Sequence, residues 1–336
     1  MKNLVWFRND LRLHDNPALS HACTKADQVV GIYIVTFKQW EEHNDSPNKI
    51  AFWFRSLIEL QKDLHKLNIP LCILKCDTYD DCPQKILEFA SANEIHNLYF
   101  NIEYPVNELK RDEQVQAVLE KMGTSCFSFH DQVIHVPGTL KTKAGTNFSV
   151  YSPFKRCWLA ELDYAMLEEH AIPTIKQPVS VNQQDEYDLH SYKQSNINQD
   201  LWPVGEESIQ KMIVNFLDRK GSDYKTDRNF PGLTATSMMS PYINSGVVSS
   251  KWCLNQARAR NYDALDEGDK GLVHWISEIL WREFYRHIIY NFPRVSMGKA
   301  FQEHFEQVPW ENNQDFIEAW KPVSYTHLRA HETKAN

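Results

Sequence analysis

The chain has 336 residues, 42% of them hydrophobic and 24% charged, which fits a soluble globular protein long enough for two domains. A net charge of −8 argues against a protein that coats nucleic acid indiscriminately. No run of about 18 apolar residues occurs and the apolar run near Met1 is short, so neither a membrane span nor a secretory signal is expected.

Residues 1–130 alternate strand and helix patterns. Leu4–Phe7, Val29–Val35, Leu71–Lys75, Leu98–Asn101 and Cys126–Phe129 are short apolar, β-branched or aromatic runs. Helical patterns lie between them, one starting with Ser46 as cap and Pro47 in first place. Alternation of this kind predicts a parallel, doubly wound, Rossmann-like sheet. The first glycine is Gly31, so no glycine-rich fingerprint follows the first strand and no dinucleotide is expected on backbone amides there. Near the start, Arg8, Asp10 and Arg12 suit either a local charge network or a functional role.

Residues 131–200 read as a linker, punctuated by Pro137-Gly138, Gly145, Pro153, Pro173 and Pro178 and polar from 180 onward. From Leu201 the pattern turns helical, with Ser208–Lys220, Pro241 onward, Ser249–Arg260 and Gly271–Asn291 as the main pieces. Ser240-Pro241 reads as a helix start, and the hydroxyls of Thr236, Ser237 and Ser240 gathered there suit an anion as well as a simple capped turn. Across residues 250–300, eight Lys/Arg stand against six Asp/Glu, a surplus that permits DNA binding without demanding it. The seven cysteines (23, 72, 76, 82, 126, 157, 253) form no CxxC pair and no zinc spacing. They read as buried thiols of a cytoplasmic protein, and no metal site is expected.

The 275–287 stretch carries the most information. Wound as a helix, it puts Val273, Ile276, Leu280, Phe284 and Ile288 on a core-facing stripe. Trp275, Glu278, Arg282, Tyr285 and Arg286 fall opposite, with Trp281 at the edge, and Glu278 precedes Arg282 by the four residues that favour an ion pair. A purely solvated face has little use for indoles, which favour burial or a ligand.

The motif WxxExxWREFYRH, from Trp275 to His287, closely resembles the active-site helix of the photolyase/cryptochrome family of flavin-dependent blue-light proteins. VWFRNDLRLHDNPAL (5–19) and YSPFKRCW (151–158) resemble the same family's N-terminus and interdomain segment. The resemblance covers about 1–321. It implies an α/β antenna-binding domain (1–130), a linker (131–200) and an all-α FAD-binding domain (201–321), here incomplete. Residues 322–336 match nothing in the family and read as a non-native tail, so the chain alone is expected to hold flavin weakly and to be inactive.

Residue by residue, the resemblance implies an FAD diphosphate clamp at Tyr224, Thr236, Ser237, Met238, Met239 and Ser240. It adds Trp275, Glu278 and Arg282 to the flavin site and gives Arg228, Glu278, Trp281, Arg282 and Tyr285 to DNA. Glu278 and Trp310 would be catalytic, Trp310 as the outermost member of a tryptophan relay. His43 and the Asn107-Glu108 pair resemble the branch with a methenyltetrahydrofolate antenna, although Met297, with Lys299 nearby, stands where that branch carries lysine. The implied activity is repair of cyclobutane pyrimidine dimers in UV-damaged DNA: light capture by the antenna, transfer to reduced flavin, and electron donation to a flipped-out dimer. A monomer is expected at full length. The alternative is a cryptochrome signalling to a protein partner. A non-enzymatic nucleotide-binding module would leave WREFYRH unexplained.

Overall fold

The computed structural model describes residues 1–182, 186–309 and 311–321. They form two compact units, divided after Pro293. The first opens with β1 (Lys2–Phe7), α1 (Pro17–Lys25), β2 (Gln28–Thr36), α2 (Phe37–Glu42), α3 (Pro47–Lys66) and β3 (Leu71–Cys76). α4 (Cys82–Ala92), β4 (Asn97–Asn101), α5 (Val106–Lys121) and β5 (Ser125–Phe129) complete the sheet region. All five strands are parallel, in the order β3-β2-β1-β4-β5. The winding reverses between β1 and β4, so the expected doubly wound sheet is present. β1, β2 and β4 carry nearly continuous buried runs because helices cover both faces, the usual pattern of a parallel sheet. On one face Trp6, Ile32, Leu74, Ile86, Phe100 and Leu119 share a single apolar cluster.

Two helix starts follow the local chemistry read from sequence. Ser46 accepts from the Lys49 amide ahead of Pro47, and Asn16 accepts from the Leu19 amide ahead of Pro17. Asn16 sits inside a buried polar network. Arg8 pairs with Asp112 at 3.4 Å, Arg12 pairs with Asp131, and Asp10 accepts from the Arg8 amide and the Asn101 side chain. Burial pushes Asp10 up to about 6, against the pull of Arg8. The charged residues near the start thus form the local network.

The 131–200 segment is not a free tether. It carries α6 (Tyr151–Ala160), and beyond it Lys176, Gln177 and Tyr187 donate backbone bonds to Leu67, Asp27 and Ile73. The helices that follow are α7 (Glu206–Lys220), α8 (Tyr224–Asp227), α9 (Ser240–Asn244), α10 (Ser250–Arg260) and α11 (Lys270–Asn291). They join the sheet region through polar bonds. Glu206 accepts the Leu13 amide at 2.8 Å, Lys251 meets Asp15 at 3.0 Å, and Arg12 donates to the Gly246 carbonyl at 3.2 Å. Gly246 is at φ +68°, and a Cβ there would collide with the backbone of Asn9 and Asp10, so only glycine lets the two parts approach this closely. The boundaries expected at 130 and 200 both fall within this unit.

The second unit contains 3₁₀ turns at Pro293–Met297 and Glu303–Gln307, the first reaching one residue back into the first unit. It also contains α12 (Gln314–Trp320), whose start is capped by Asn313. Met297 and Lys299 belong to this unit. Trp310 and the 322–336 tail lie outside the described residues. No helix among the described residues is long and apolar enough to cross a membrane.

Candidate functional site

α11 is the organising element. Asp269 caps it by accepting from the Gly271 and Leu272 amides. Ile276, Leu280, Phe284 and Ile288 are buried as the periodicity predicts, while Val273 is only half-buried. Trp275 departs from the expected exposed face. It is 2% exposed, its ring lies 6.4 Å from Phe216, and its indole N–H reaches Ser237 Oγ at 3.2 Å. The helix is buried over more than one stripe, because α6, α8 and α10 all pack against it.

Two polar residues of α11 go further into the core than sequence reasoning allowed. Glu283 accepts the backbone N–H groups of Ile134 and His135, both at 2.9 Å, and the Trp158 indole N–H at 2.8 Å. His287 Nε2 lies 2.9 Å from the His135 carbonyl. These contacts bolt α11 to the connecting segment. A signal was present: both positions continue the arc of Ile276, Ile279, Leu280 and Phe284, so a polar residue there needs a buried partner.

On the other side α11 floors a cavity of about 1090 Å³, at the upper end of the ~300–1,000 Å³ common for small-molecule sites. Tyr224, Thr236, Ser237, Met238, Met239 and Ser240 all line it, with Trp275, Glu278, Arg282 and Tyr285. The structure therefore gathers residues from three separate stretches of the helical region. Ser240 is the first residue of α9 and Met239 its cap, without a side-chain capping bond, so the expected Ser cap is displaced by one position. α9 has five residues, too few for much dipole, and the anion-binding capacity comes from hydroxyls and cations instead.

The cations without a carboxylate partner are Arg282 and Arg286; Lys49, across the cavity, pairs with Asp45. The expected Glu278–Arg282 ion pair does not form. Arg282 donates to the Gln132 carbonyl at 2.7 Å, and Glu278 pairs with Arg228, the residue that caps the end of α8, and stands 3.6 Å from His274. Arg286 reaches Asn244 at 3.3 Å. Among the described residues neither Arg282 nor Arg286 has a carboxylate within ion-pair distance. Burial and the neighbouring Arg286 push Arg282 down to about 9, against the pull of Asp131 and Glu283, which stand outside ion-pair distance. Such a cavity favours an anion.

Trp281 is half-buried and does not line the cavity. Tyr151 stacks on it at 3.7 Å and 13°, with Tyr285 on the sequence-adjacent side at 5.6 Å. The opposite wall of the cavity was missed. Asn48, Lys49, Phe52 and Trp53 of α3 and Asn196–Asn198 with Trp202 form it. Lys49 lies over the Trp53 ring at 4.7 Å, and a Lys/Trp pair four residues apart on a helix was the available clue.

A second cluster stands at the carboxyl end of the sheet. His43 Nε2 lies 3.4 Å from Asn107 Nδ2 and 3.1 Å from Gln39 Nε2, across 64 residues in the first case. Glu108 adjoins them, half-buried, and burial with the nearby Glu103 pushes it up to about 7. His43 and Asn107 are thus neighbours, and Glu108 follows Asn107 in the first turn of α5.

Comparison with known proteins agrees with this arrangement. The family model for DNA photolyase matches residues 3–177, and that for the FAD binding domain of DNA photolyase matches 275–323, which includes most of α11. The deoxyribodipyrimidine photo-lyase of Escherichia coli K12 is 33% identical over 320 residues, covering 95% of this chain and 67% of that protein. A class III photolyase from Agrobacterium tumefaciens superposes with a TM-score of 0.79 at 25% identity, over 95% of this chain and 65% of that one. A Synechocystis cryptochrome shares the fold with a TM-score of 0.81 at 19% identity, over 96% and 68%. The chain spans about two thirds of the length of the curated relatives it matches. With its matched sheet, its matched floor helix and a relative one third identical over two thirds of its own length, the chain belongs to the DNA photolyase family.

Proposed function

We propose that this chain, when continued to its relatives' length, serves light-driven splitting of cyclobutane pyrimidine dimers in UV-damaged DNA, with FAD held in the cavity above α11. The observation that carries the reading is Arg282. A half-buried guanidinium without a carboxylate partner, beside Arg286 and the hydroxyls of Thr236, Ser237 and Ser240, fits a diphosphate. Trp275 and Ile279 supply apolar surface for a flat ring. When bound, reduced FAD supplies the light-excited electron.

The remaining work falls to the chain's own side chains. Arg228 and Glu278 form an ion pair at the rim, and a DNA phosphate arriving at Arg228 would free Glu278 to face the extruded base. The Tyr151–Trp281–Tyr285 stack offers an aromatic platform for that base. His43, Asn107 and Glu108 would hold a methenyltetrahydrofolate antenna, since a carboxyl suits the parallel donors of a pterin. The active protein is proposed as a monomer of the cytoplasm.

The test is dark binding, using this chain continued by the C-terminal third of the Escherichia coli relative and loaded with FAD. Fluorescence anisotropy should show a labelled duplex with one thymine dimer binding at least tenfold tighter than its undamaged twin. Equal affinity for both duplexes would favour the cryptochrome alternative.

A further inference from the structure

The seven cysteines are not equivalent. Five of them, Cys23, Cys72, Cys126, Cys157 and Cys253, have no sulfur neighbour in hydrogen-bond range among the described residues, and burial pushes the thiols of Cys23, Cys72 and Cys126 up to about 11, 12 and 12. Cys76 and Cys82 differ, with their Sγ atoms 3.7 Å apart in a thiol–thiol contact. Both also point at the Thr78 carbonyl, at 3.4 and 3.7 Å. Cys76 ends β3 and Cys82 is the first residue of α4, so the five residues between them form a tight link from the sheet edge to a helix. Thr78 braces that link by donating its amide and its hydroxyl to the Asp81 carboxylate, at 2.8 and 2.9 Å. Cys76 is half-buried and reachable, while Cys82 is fully enclosed.

We propose that Cys76 and Cys82 are a reversible dithiol–disulfide site, oxidised by hydrogen peroxide, that fastens the end of β3 to the start of α4. Two thiols a hydrogen bond apart on adjoining element ends need to close only the gap to a ~2.05 Å bond. The steps balance. Cys76, the accessible thiol, loses its proton to solvent as its sulfur attacks peroxide, forming a sulfenic acid and releasing hydroxide, which takes up a proton as the first water. Cys82 then loses its own proton and attacks the Cys76 sulfur, expelling a second hydroxide, which becomes the second water. Two thiols and one peroxide become one disulfide and two waters, and a small dithiol reverses the reaction.

Oxidation removes both S–H bonds to the Thr78 carbonyl and stiffens the 77–81 link. The full chain, treated with millimolar peroxide, alkylated and mapped by peptide mass, should give a linked Cys76–Cys82 peptide lighter by two hydrogens and restored by dithiothreitol. The other five cysteines should remain open to alkylation after denaturation. Amide exchange in 77–81 should slow at least threefold on oxidation, and Cys82→Ser should abolish both the linkage and the slowing while retaining a sulfenic acid at Cys76. Alkylation of Cys76 and Cys82 to the same extent as the other five, or their conversion to sulfinic acids without linkage, would overturn the proposal. Both outcomes are read on the unmodified sequence and do not depend on the variant folding.

Discussion

Replacing Glu283 by alanine should destabilise the first unit by about 3 kcal/mol at pH 8 and by more at pH 5.5. Three buried donors, the amides of Ile134 and His135 and the Trp158 indole, lose their acceptor together. At ~2 kcal/mol for each buried group left unmade, the loss is roughly 6 kcal/mol. Part of it is offset. Burial raises the Glu283 carboxyl from its usual 4.5 to about 7, so ionising it in the folded state costs roughly 3 kcal/mol above pH 7. A carboxyl raised on folding contributes its stability at low pH and loses it as pH climbs from the unfolded value to the folded one. Alanine abolishes that loss, so the cost of the substitution should shrink by about 2 kcal/mol between pH 5.5 and 8. Urea unfolding followed by tryptophan fluorescence and far-UV circular dichroism at both pH values measures it. A cost below ~1 kcal/mol at both, or a cost that grows with pH, would show that Glu283 is not the bolt described here.

Three further outcomes are expected in the FAD-loaded protein continued to its relatives' length. Arg282→Leu should weaken FAD binding by about 1.5–3 kcal/mol by flavin-fluorescence titration. With Arg282 at about 9, wild-type affinity should fall as pH rises past that value while the variant stays flat; unchanged affinity in the variant would remove Arg282 from the site. Trp281→Ala should weaken binding to dimer-containing DNA by about 1–3 kcal/mol through lost stacking, with flavin content retained, and equal affinity of variant and wild type would refute the platform. Glu108→Ala should abolish folate binding without altering flavin content. A deazaflavin, or no second chromophore after folate is supplied, would show the antenna assignment to be wrong.

Much of the sheet is legible because its strands are runs that only a doubly covered parallel sheet needs. Leu4–Phe7 and Val29–Val35 appear within β1 and β2, which extend one or two residues further. The clamp residues are legible through resemblance more than through spacing, since the five-residue α9 leaves almost no periodic signal. What sequence did not show is pairing across distance. Glu278 has a favourable partner four residues on, yet a closer bond to Arg228 wins, because α8 delivers that guanidinium to the same rim. Trp275 departs from the expected exposed face for a related reason: a helix packed by several neighbours buries more than one stripe. The second wall of the cavity stayed hidden because half of it comes from the polar, aperiodic stretch near 196–202.

The central claim is that the cavity above α11 holds the cofactor for dimer repair. It is tested most directly by illuminating the FAD-loaded protein, continued to its relatives' length and chemically reduced, with blue light in the presence of an oligonucleotide bearing one thymine dimer. Chromatography should show the dimer converted to paired thymines in the light and unchanged in the dark, with conversion lost in Arg282→Leu at limiting FAD. Dimer persisting under illumination, while reduced FAD is demonstrably bound, would contradict the account.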